Sequence, residues 1–428
     1  MKIDAVKLQD YRAFEDSTFS FDRNLNVLVG VNGSGKSSIL EAIAVALSRL
    51  FVRVRRTKGT GRLLKVSDVR HGASEARCTI KVMYENDEFV WQIIKGKKPR
   101  YNKSKKSQSI RRLKTVKMLA NIIGTELVLD EEANIPLAVY YPVNRAILDV
   151  PLRIKKRHSF EQLSSYDKAL SGARSDFRLF FEWYRNQEDL ENEQRLRPVE
   201  HVDRRRSDEY RDPMLQAVRE AVHSIAGFSN VRIRRNPLRM EVQKGNQLLD
   251  VRQLSDGEKC LLAMAGDLAR RLAIANPSLG NPLDGEAVVL IDEIELHLHP
   301  EWQHKVVKRL RETFPNSQFI LTTHSPQVVS HVPCKNIWCL VDSEDGVEVN
   351  RPDGTYGQDS NFLLKTLFRS SYRPSEVEQS FQRLYCLIDE DPKEARQLLN
   401  SLVNEIEGNS PELVRAEVML HRKESKAK

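Results

Sequence analysis

Short apolar runs alternate with longer stretches of helical period along this chain, the pattern of a sheet with helices on its faces. Ile3–Leu8 and Asn26–Val29 read as strands, Glu286–Ile291 (EAVVLI) as a buried parallel strand, and Gln318–Leu321 (QFIL) as another. Helical spacing covers Ile39–Leu50 and runs from Ser255 through Leu272. Between residues 151 and 245, charged stretches such as Ser159–Leu170 and Pro213–Ile225 predict a helical insertion. It carries no sustained heptad, and thirty residues of helix would reach only about 45 Å, so no long arm is expected. Residues 346–428 read as a helical tail. Its helix starts are Ser375-Glu376-Val377-Glu378 as a capping box, Asp391-Pro392-Lys393-Glu394 and Ser410-Pro411-Glu412. Leu384, Leu387, Leu398, Leu399, Leu402 and Val403 recur there at helical spacing, and two uses fit them: a packed cap on the preceding lobe, or an oligomerisation and partner-docking module.

The strand at residues 26–29 runs directly into Gly30-Val31-Asn32-Gly33-Ser34-Gly35-Lys36-Ser37-Ser38, and a helix follows. That is a G-x-x-x-x-G-K-S phosphate loop in the setting it requires. Glycines let backbone N–H groups turn toward a β-phosphate, and the helix dipole adds to their pull. Lys36 is a point charge for the β- and γ-phosphates, and the Ser37 hydroxyl suits Mg²⁺. The EAVVLI strand ends in Asp292-Glu293, so Asp292 is a candidate Mg²⁺ ligand and Glu293 a candidate general base for water. Leu254-Ser255-Asp256-Gly257-Glu258-Lys259 opens a helix before that strand, and QFIL ends in Thr322-Thr323-His324-Ser325-Pro326. Alone, each piece has an ordinary reading as a helix cap, a solvated strand end or a core histidine. Four such pieces in order, each in its proper local structure, point to one site.

The order resembles the ABC ATPase set: Walker A, signature motif, Walker B with a catalytic glutamate, and switch histidine. The resemblance implies an α/β P-loop head with a mixed sheet and flanking helices. Its parts would be an N-terminal lobe at 1–150 with a basic insert, a helical insertion at 151–245, a C-terminal lobe at 246–345 and the helical tail at 346–428. It implies Glu293 and His324 as catalytic residues, and Gly30, Asn32, Gly33, Ser34, Gly35, Lys36, Ser37 and Ser38 around ATP. Leu254, Ser255, Gly257 and Glu258 would meet the ATP of a second copy. The opening YRAFEDSTFSFDRNLNVLVGVNGSGKSSILEAI is similar to SMC, RecF and OLD-type ATPases, which implies Arg12 near the nucleotide. No transporter-type Q-loop is evident. Tyr140-Tyr141-Pro142-Val143-Asn144-Arg145 stands in about its place.

Composition adds a partner. Of 428 residues, 40% are hydrophobic and 30% charged, a globular profile, and no apolar stretch approaches membrane-spanning length. MKIDAVKLQDYRAF lacks an apolar signal core, so a cytoplasmic location is expected. The five cysteines are scattered, without metal-site spacing. The net charge of +9 is concentrated: Lys95–Lys117 holds eleven lysines or arginines and no acid. Either a solvated loop or a contact for nucleic-acid phosphates fits it, and Lys97, Lys98, Lys105 and Lys106 are the candidates. Further basic groups stand at Arg53–Lys58, Arg153–Arg157, Arg204–Arg206 and Arg232–Arg239. Asp342-Ser343-Glu344-Asp345 and Asp353-Gly354 read as loops rather than the strand-ended acids of a Toprim nuclease, and no HNH or D…E-x-K pattern stands out.

The IDEIELHLHP segment, the YYPVNR segment and the helical tail resemble the ATPase subunit of Septu-type and retron-associated anti-phage systems. That resemblance implies a homodimer or larger homo-oligomer holding a separately encoded HNH nuclease that attacks nucleic acid, most simply DNA. The alternative is a RecF-like clamp acting in DNA repair.

Overall fold

The computed structural model describes residues 1–56, 59–97, 113–143, 160–171, 177–196, 210–343, 346–371, 373–406 and 410–426. They form two compact units, Met1–Gln358 and Asp359–Lys428. The strands of the first unit begin with β1 (Lys2–Tyr11), β2 (Phe14–Ser20), β3 (Leu25–Gly30), β4 (Glu75–Tyr84), β5 (Asp87–Gly96) and β6 (Leu137–Tyr141). They continue with β7 (Ser229–Arg235), β8 (Leu238–Lys244), β9 (Gln247–Asp250), β10 (Ala287–Ile291), β11 (Gln318–Thr323), β12 (Ile337–Ser343) and β13 (Gly346–Asn350). Its helices are α1 (Lys36–Arg55), α2 (Lys114–Leu129), α3 (Phe177–Leu196), α4 (Pro213–Ala226), α5 (Asp256–Ala275), α6 (Pro300–Thr313) and the short α7 (Pro326–Val329).

The central sheet runs β13-β12-β3-β11-β10-β6. From β12 to β6 every pairing is parallel, and only β13 is antiparallel. Each residue of β3, β6, β10 and β11 is buried, which explains their unbroken apolar sequences. The carboxyl ends of β3, β11, β10 and β6 therefore lie along one edge, where α/β sheets place ligands. A second, antiparallel sheet, β2-β1-β4-β5, is joined to the first by the buried Gln318 side chain. Gln318 accepts from the Ile3 N–H at 2.7 Å and donates to the Ile3 carbonyl at 2.8 Å. β4 and β5 also reach α1, where Trp91 Nε1 donates to the Ala46 carbonyl at 3.1 Å.

An ionic group inside the core fixes α5 to β6. Asp267, Arg270 and Arg271 are buried, with Asp267 paired to Arg270 at 2.7 Å and to Arg271 at 2.8 Å. Tyr141 donates to Asp267 at 3.0 Å, and Arg271 donates to the carbonyls of Ser165 and Asp167. Burial alone would raise the Asp267 carboxyl, but Arg271 and Arg270 outweigh it and hold it at about 2. Losing one member of such a group leaves an uncompensated buried charge.

Several expectations change. Ser159–Leu170 is not an α-helix where it is described: residues 162–166 make a 3-10 turn, and Tyr166, Ala169 and Leu170 pack inward. The insertion is not purely helical, since β7, β8 and β9 form an antiparallel sheet. Residues 346–350, expected to begin the tail, are a strand of the central sheet, and Asp342 lies on β12 rather than in a loop.

The second unit contains α8 (Ser360–Thr366), α9 (Ser375–Glu390), α10 (Pro392–Glu405) and α11 (Pro411–Lys426). α9, α10 and α11 bury their apolar stripes on one another, around Phe381, Leu384, Ile388, Leu399, Leu402, Leu413 and Leu420. Asp391 caps α10 as its sequence suggests, whereas α9 starts at Ser375 after Pro374, without a side-chain cap.

Candidate active site

The phosphate loop leaves β3 at Gly30 and enters α1 at Lys36. Gly33 and Gly35 have φ of 87° and 90°, the left-handed region that glycine enters most cheaply. A Cβ on Gly35 would stand 2.7 Å from the Phe14 ring, so the loop is pressed against β2. α1 has no side-chain cap and no acid in its first turn, which leaves its N-terminal N–H groups and dipole for an anion. Ser34 is buried, whereas Asn32 is at the exposed tip. Lys36 is 5% exposed, and its ammonium donates to the Gly30 carbonyl at 2.9 Å and the Val31 carbonyl at 2.8 Å.

β11 lies between β3 and β10, and it completes the acidic side of the site. Ser37 Oγ donates to Asp292 Oδ1 at 3.0 Å, and Thr322 Oγ1 donates to the same oxygen at 2.6 Å. Asp292 is only 3% exposed, and the two hydroxyl donors help to compensate the burial of its carboxylate. A hydroxyl and a carboxylate side by side at the foot of the phosphate loop are the oxygen donors Mg²⁺ takes. The residues present therefore fit ATP with Mg²⁺. Thr322 was not singled out by sequence; a hydroxyl at the strand end preceding His324 was the available signal.

Glu293 follows with φ 47°, its N–H held by Thr322 Oγ1 at 2.7 Å. This is uncommon for a non-glycine residue, and such backbone gathers at functional sites. His324 leaves β11 beside it. Burial lowers its pKa, Lys36 lowers it further, and Asp292 and a bond to the Gly30 carbonyl oppose them. The imidazole is thus neutral at pH 7 and can donate one N–H.

Arg12, at φ 50°, donates to Ser38 Oγ at 3.1 Å and pairs with Glu41 at 2.5 Å and Asp68 at 2.9 Å. It is placed beside the phosphate loop. Tyr141 marks the end of β6, and its carbonyl accepts the Asp292 N–H at 2.9 Å. The segment after it thus starts next to the acidic pair, although Asn144 and Arg145 lie outside the described residues.

The signature segment stands at the start of α5. Ser255 is its N-cap and forms a capping box with Glu258, whose carboxylate accepts the Ser255 N–H at 2.9 Å. Burial raises the Glu258 carboxyl, but Lys244, 2.6 Å away, and Ser255 pull it below its ordinary range. Leu254 and Gly257 are buried, while Ser255 is exposed. Gly257 is required by contact: a Cβ there would lie 2.2 Å from the His297 carbonyl.

The basic candidates are less well served. Lys97 donates to the Arg70 carbonyl at 3.3 Å, and Lys98, Lys105 and Lys106 lie outside the described residues. Arg232 and Arg239 pair with Glu241, and Arg235 with Glu188, so that cluster is largely neutralised within the fold. Among the described residues the five cysteines are free, no group of histidine, cysteine and acidic side chains could hold a metal ion, and no helix is long and apolar enough to cross a membrane.

A phosphate loop, an acidic strand end and a histidine after β11 along one parallel sheet edge, with Ser255-Asp256-Gly257-Glu258 opening α5, define a P-loop ATPase head of the ABC, SMC/RecF-like class. Residues 25–330 match the family described as "AAA domain, putative AbiEii toxin, Type IV TA system". The chain belongs to that family. It is 33% identical over 430 residues to the "Retron Ec83 probable ATPase" of Escherichia coli, covering 88% of this chain and 78% of that one. The "Retron Vc95 probable ATPase" of Vibrio cholerae is 33% identical over 376 residues, 78% of this chain and 72% of that one. A "Septu protein PtuA" of Bacillus mycoides is 30% identical over 185 residues, 42% of this chain and 25% of that one. Among solved structures, an SMC head bound to the C-winged helix domain of ScpA aligns with a TM-score of 0.48 at 18% identity, covering 82% of this chain and 98% of that one. That likeness is loose, and the fold class stands on the strand order given above.

Proposed function

We propose that this chain binds and hydrolyses ATP between two copies of itself, and that it controls a separately encoded HNH-type nuclease in an anti-phage defence complex. The observation that carries the ATPase part is Asp292, buried and bonded to both Ser37 and Thr322 at the mouth of the phosphate loop. Lys36 and the N–H groups of residues 33–38 neutralise and orient the triphosphate. Mg²⁺, held by Ser37 and Asp292, would supply charge neutralisation between the phosphate oxygens. Glu293 takes the proton of the attacking water, and neutral His324 donates to an oxygen of the γ-phosphate. Ser255, exposed at the cap of α5, and Gly257 face the nucleotide of the second copy.

The retron and Septu relatives support a role in defence. The nuclease and its attachment to the second unit are our reading. That unit has its own core, and Val403, Val414 and Val418 remain exposed on α10 and α11 as an apolar surface for a partner. Deleting residues 359–428 is expected to leave ATP binding within about threefold while abolishing nuclease co-purification or assembly beyond a dimer. Retention of both would move the docking surface to the first unit.

Nucleic acid is proposed to meet the segment from Lys95 to Lys117. Exchanging Lys97, Lys98, Lys105 and Lys106 for glutamate is expected to flatten the salt dependence of DNA binding by up to about four charges' worth, with ATP hydrolysis unchanged. Equal binding and an equal salt slope would return the segment to a solvated loop.

A further inference from the structure

A cavity of about 520 Å³ opens at the end of α1 away from the phosphate loop, and no step of the ATP chemistry uses it. That is the size of a small-molecule site, far larger than the voids ordinary packing leaves. Its floor is apolar, made by the buried Phe51, Tyr166 and Leu170. The rings of Phe51 and Tyr166 stand 4.6 Å apart, tilted by 43°. Its rim is basic. Arg55, Arg56, Arg62 and Lys168 line it, and among the described residues no acidic side chain does.

The helix macrodipole accounts for Arg55 and Arg56, which stand at the carbonyl end of α1. It does not account for Arg62 and Lys168, which reach the same rim from other segments. Arg62 follows a glycine-rich segment pressed against α1. A Cβ on Gly59 would lie 2.0 Å from the Val52 side chain, and one on Gly61 2.8 Å from the Ser48 carbonyl. The Arg62 N–H then donates to Ser48 Oγ at 2.8 Å. Lys168 holds left-handed backbone, φ 53°, which is uncommon for a residue with a side chain. Two of the guanidinium groups are paired with carboxylates that do not line the cavity: Arg55 with Asp167 at 2.5 Å, and Arg62 with Glu41 at 3.0 Å. Arg62 also leads back to the phosphate loop. Glu41 shares its carboxylate between Arg62 and Arg12, and Arg12 donates to Ser38 Oγ at 3.1 Å.

Guanidinium groups hold a phosphate through paired N–H bonds, and aromatic side chains accept the face of a flat ring. We propose that this cavity binds a small phosphate ester carrying an aromatic ring, a nucleoside monophosphate in its simplest form, and that its occupancy regulates the ATP site. The ring rests on Phe51, Tyr166 and Leu170, and the phosphate sits among Arg56, Arg62 and Lys168. A phosphate that draws Arg62 from Glu41 leaves that carboxylate to Arg12 alone, and so holds Arg12 back from Ser38 and the nucleotide. The regulatory half rests on the ATPase reading above; the binding half does not.

Calorimetric titration of the full chain tests the site, with the four ribonucleoside monophosphates, the parent nucleosides and inorganic phosphate as probes. At least one monophosphate is expected to bind with a Kd of about 1 mM or tighter, and its nucleoside and inorganic phosphate about tenfold more weakly, since each keeps only part of the contacts. Lys36→Ala, which disables the phosphate loop, is expected to keep this binding. Arg56→Glu combined with Lys168→Glu is expected to weaken it about tenfold or more, with basal ATP turnover within about twofold of the wild type. Saturating monophosphate is expected to lower wild-type ATP turnover about twofold to tenfold and to leave that of the double variant unchanged. Absence of binding by every monophosphate would overturn the site, even if a 5′-phosphorylated oligonucleotide bound in their stead. Binding that Lys36→Ala abolishes and the double variant keeps would overturn it too. Binding with unchanged ATP turnover would overturn the path through Arg62 and Glu41. A wild type that turns over no ATP would defeat the ATPase reading, and the titration would still decide the site.

Discussion

Glu293→Gln is expected to bind ATP as the wild type does and to turn it over about a hundredfold to ten-thousandfold more slowly, the range a positioned general base contributes. Glutamine preserves the size of the side chain and leaves in place the backbone bond from residue 293 to Thr322 Oγ1, 2.7 Å long. What it loses is the ability to take a proton from water. The groups that hold the triphosphate, Lys36, the loop N–H groups and the Ser37–Asp292 pair, are not touched. Loss should therefore fall on kcat, with ATP affinity kept and the ATP-bound form accumulating. Lys36→Ala should do the reverse and weaken ATP affinity about tenfold to a hundredfold, because a buried charge-assisted contact is lost. Equilibrium binding and single-turnover hydrolysis on the two variants separate the effects. Wild-type-like turnover in Glu293→Gln would remove Glu293 from the role of base.

Much of this site was legible in the sequence because its chemistry restricts residue type. A phosphate loop needs glycines where φ is positive, and a strand that places a carboxylate beside it must be buried on both faces, hence AVVLI before Asp292-Glu293. Other parts depend on contacts between distant segments and leave no spacing to read. Thr322 meets Asp292 across thirty residues, Glu295 meets His324 across twenty-nine, and Asp267 meets Tyr141 across one hundred and twenty-six. The sheet of β7, β8 and β9 did leave a signal that charge obscured. Val231 and Ile233 are buried and alternate with Arg232 and Arg234, the period of a half-buried strand, but the arginines drew the segment toward a phosphate-binding reading. Ser159–Leu170 failed the other way: its helical spacing is overridden where Tyr166, Ala169 and Leu170 pack into the core. In the tail, the apolar stripes were rightly placed on helices. Leu384, Leu399 and Leu402 are buried by the neighbouring helices of the same bundle, Leu387 and Leu398 partly so, while Val403 stays exposed.

The central claim is that ATP is completed by two chains, with the signature of one facing the phosphate loop of the other. Ser255 caps α5 from an exposed position, and among the described residues its hydroxyl bonds to Glu258, so a bulky cation there should block a partner without unsettling the phosphate loop of its own chain. Mixing Lys36→Ala chains with Ser255→Arg chains tests this most directly. In a mixed dimer, one composite site carries both lesions and the other carries neither. Each variant alone should be nearly inactive. The equimolar mixture should regain activity up to about a quarter of the wild-type rate, since half the dimers are mixed and each holds one intact site of two. A mixture no more active than either variant alone would contradict the account, and ATP would then have to be completed within a single chain.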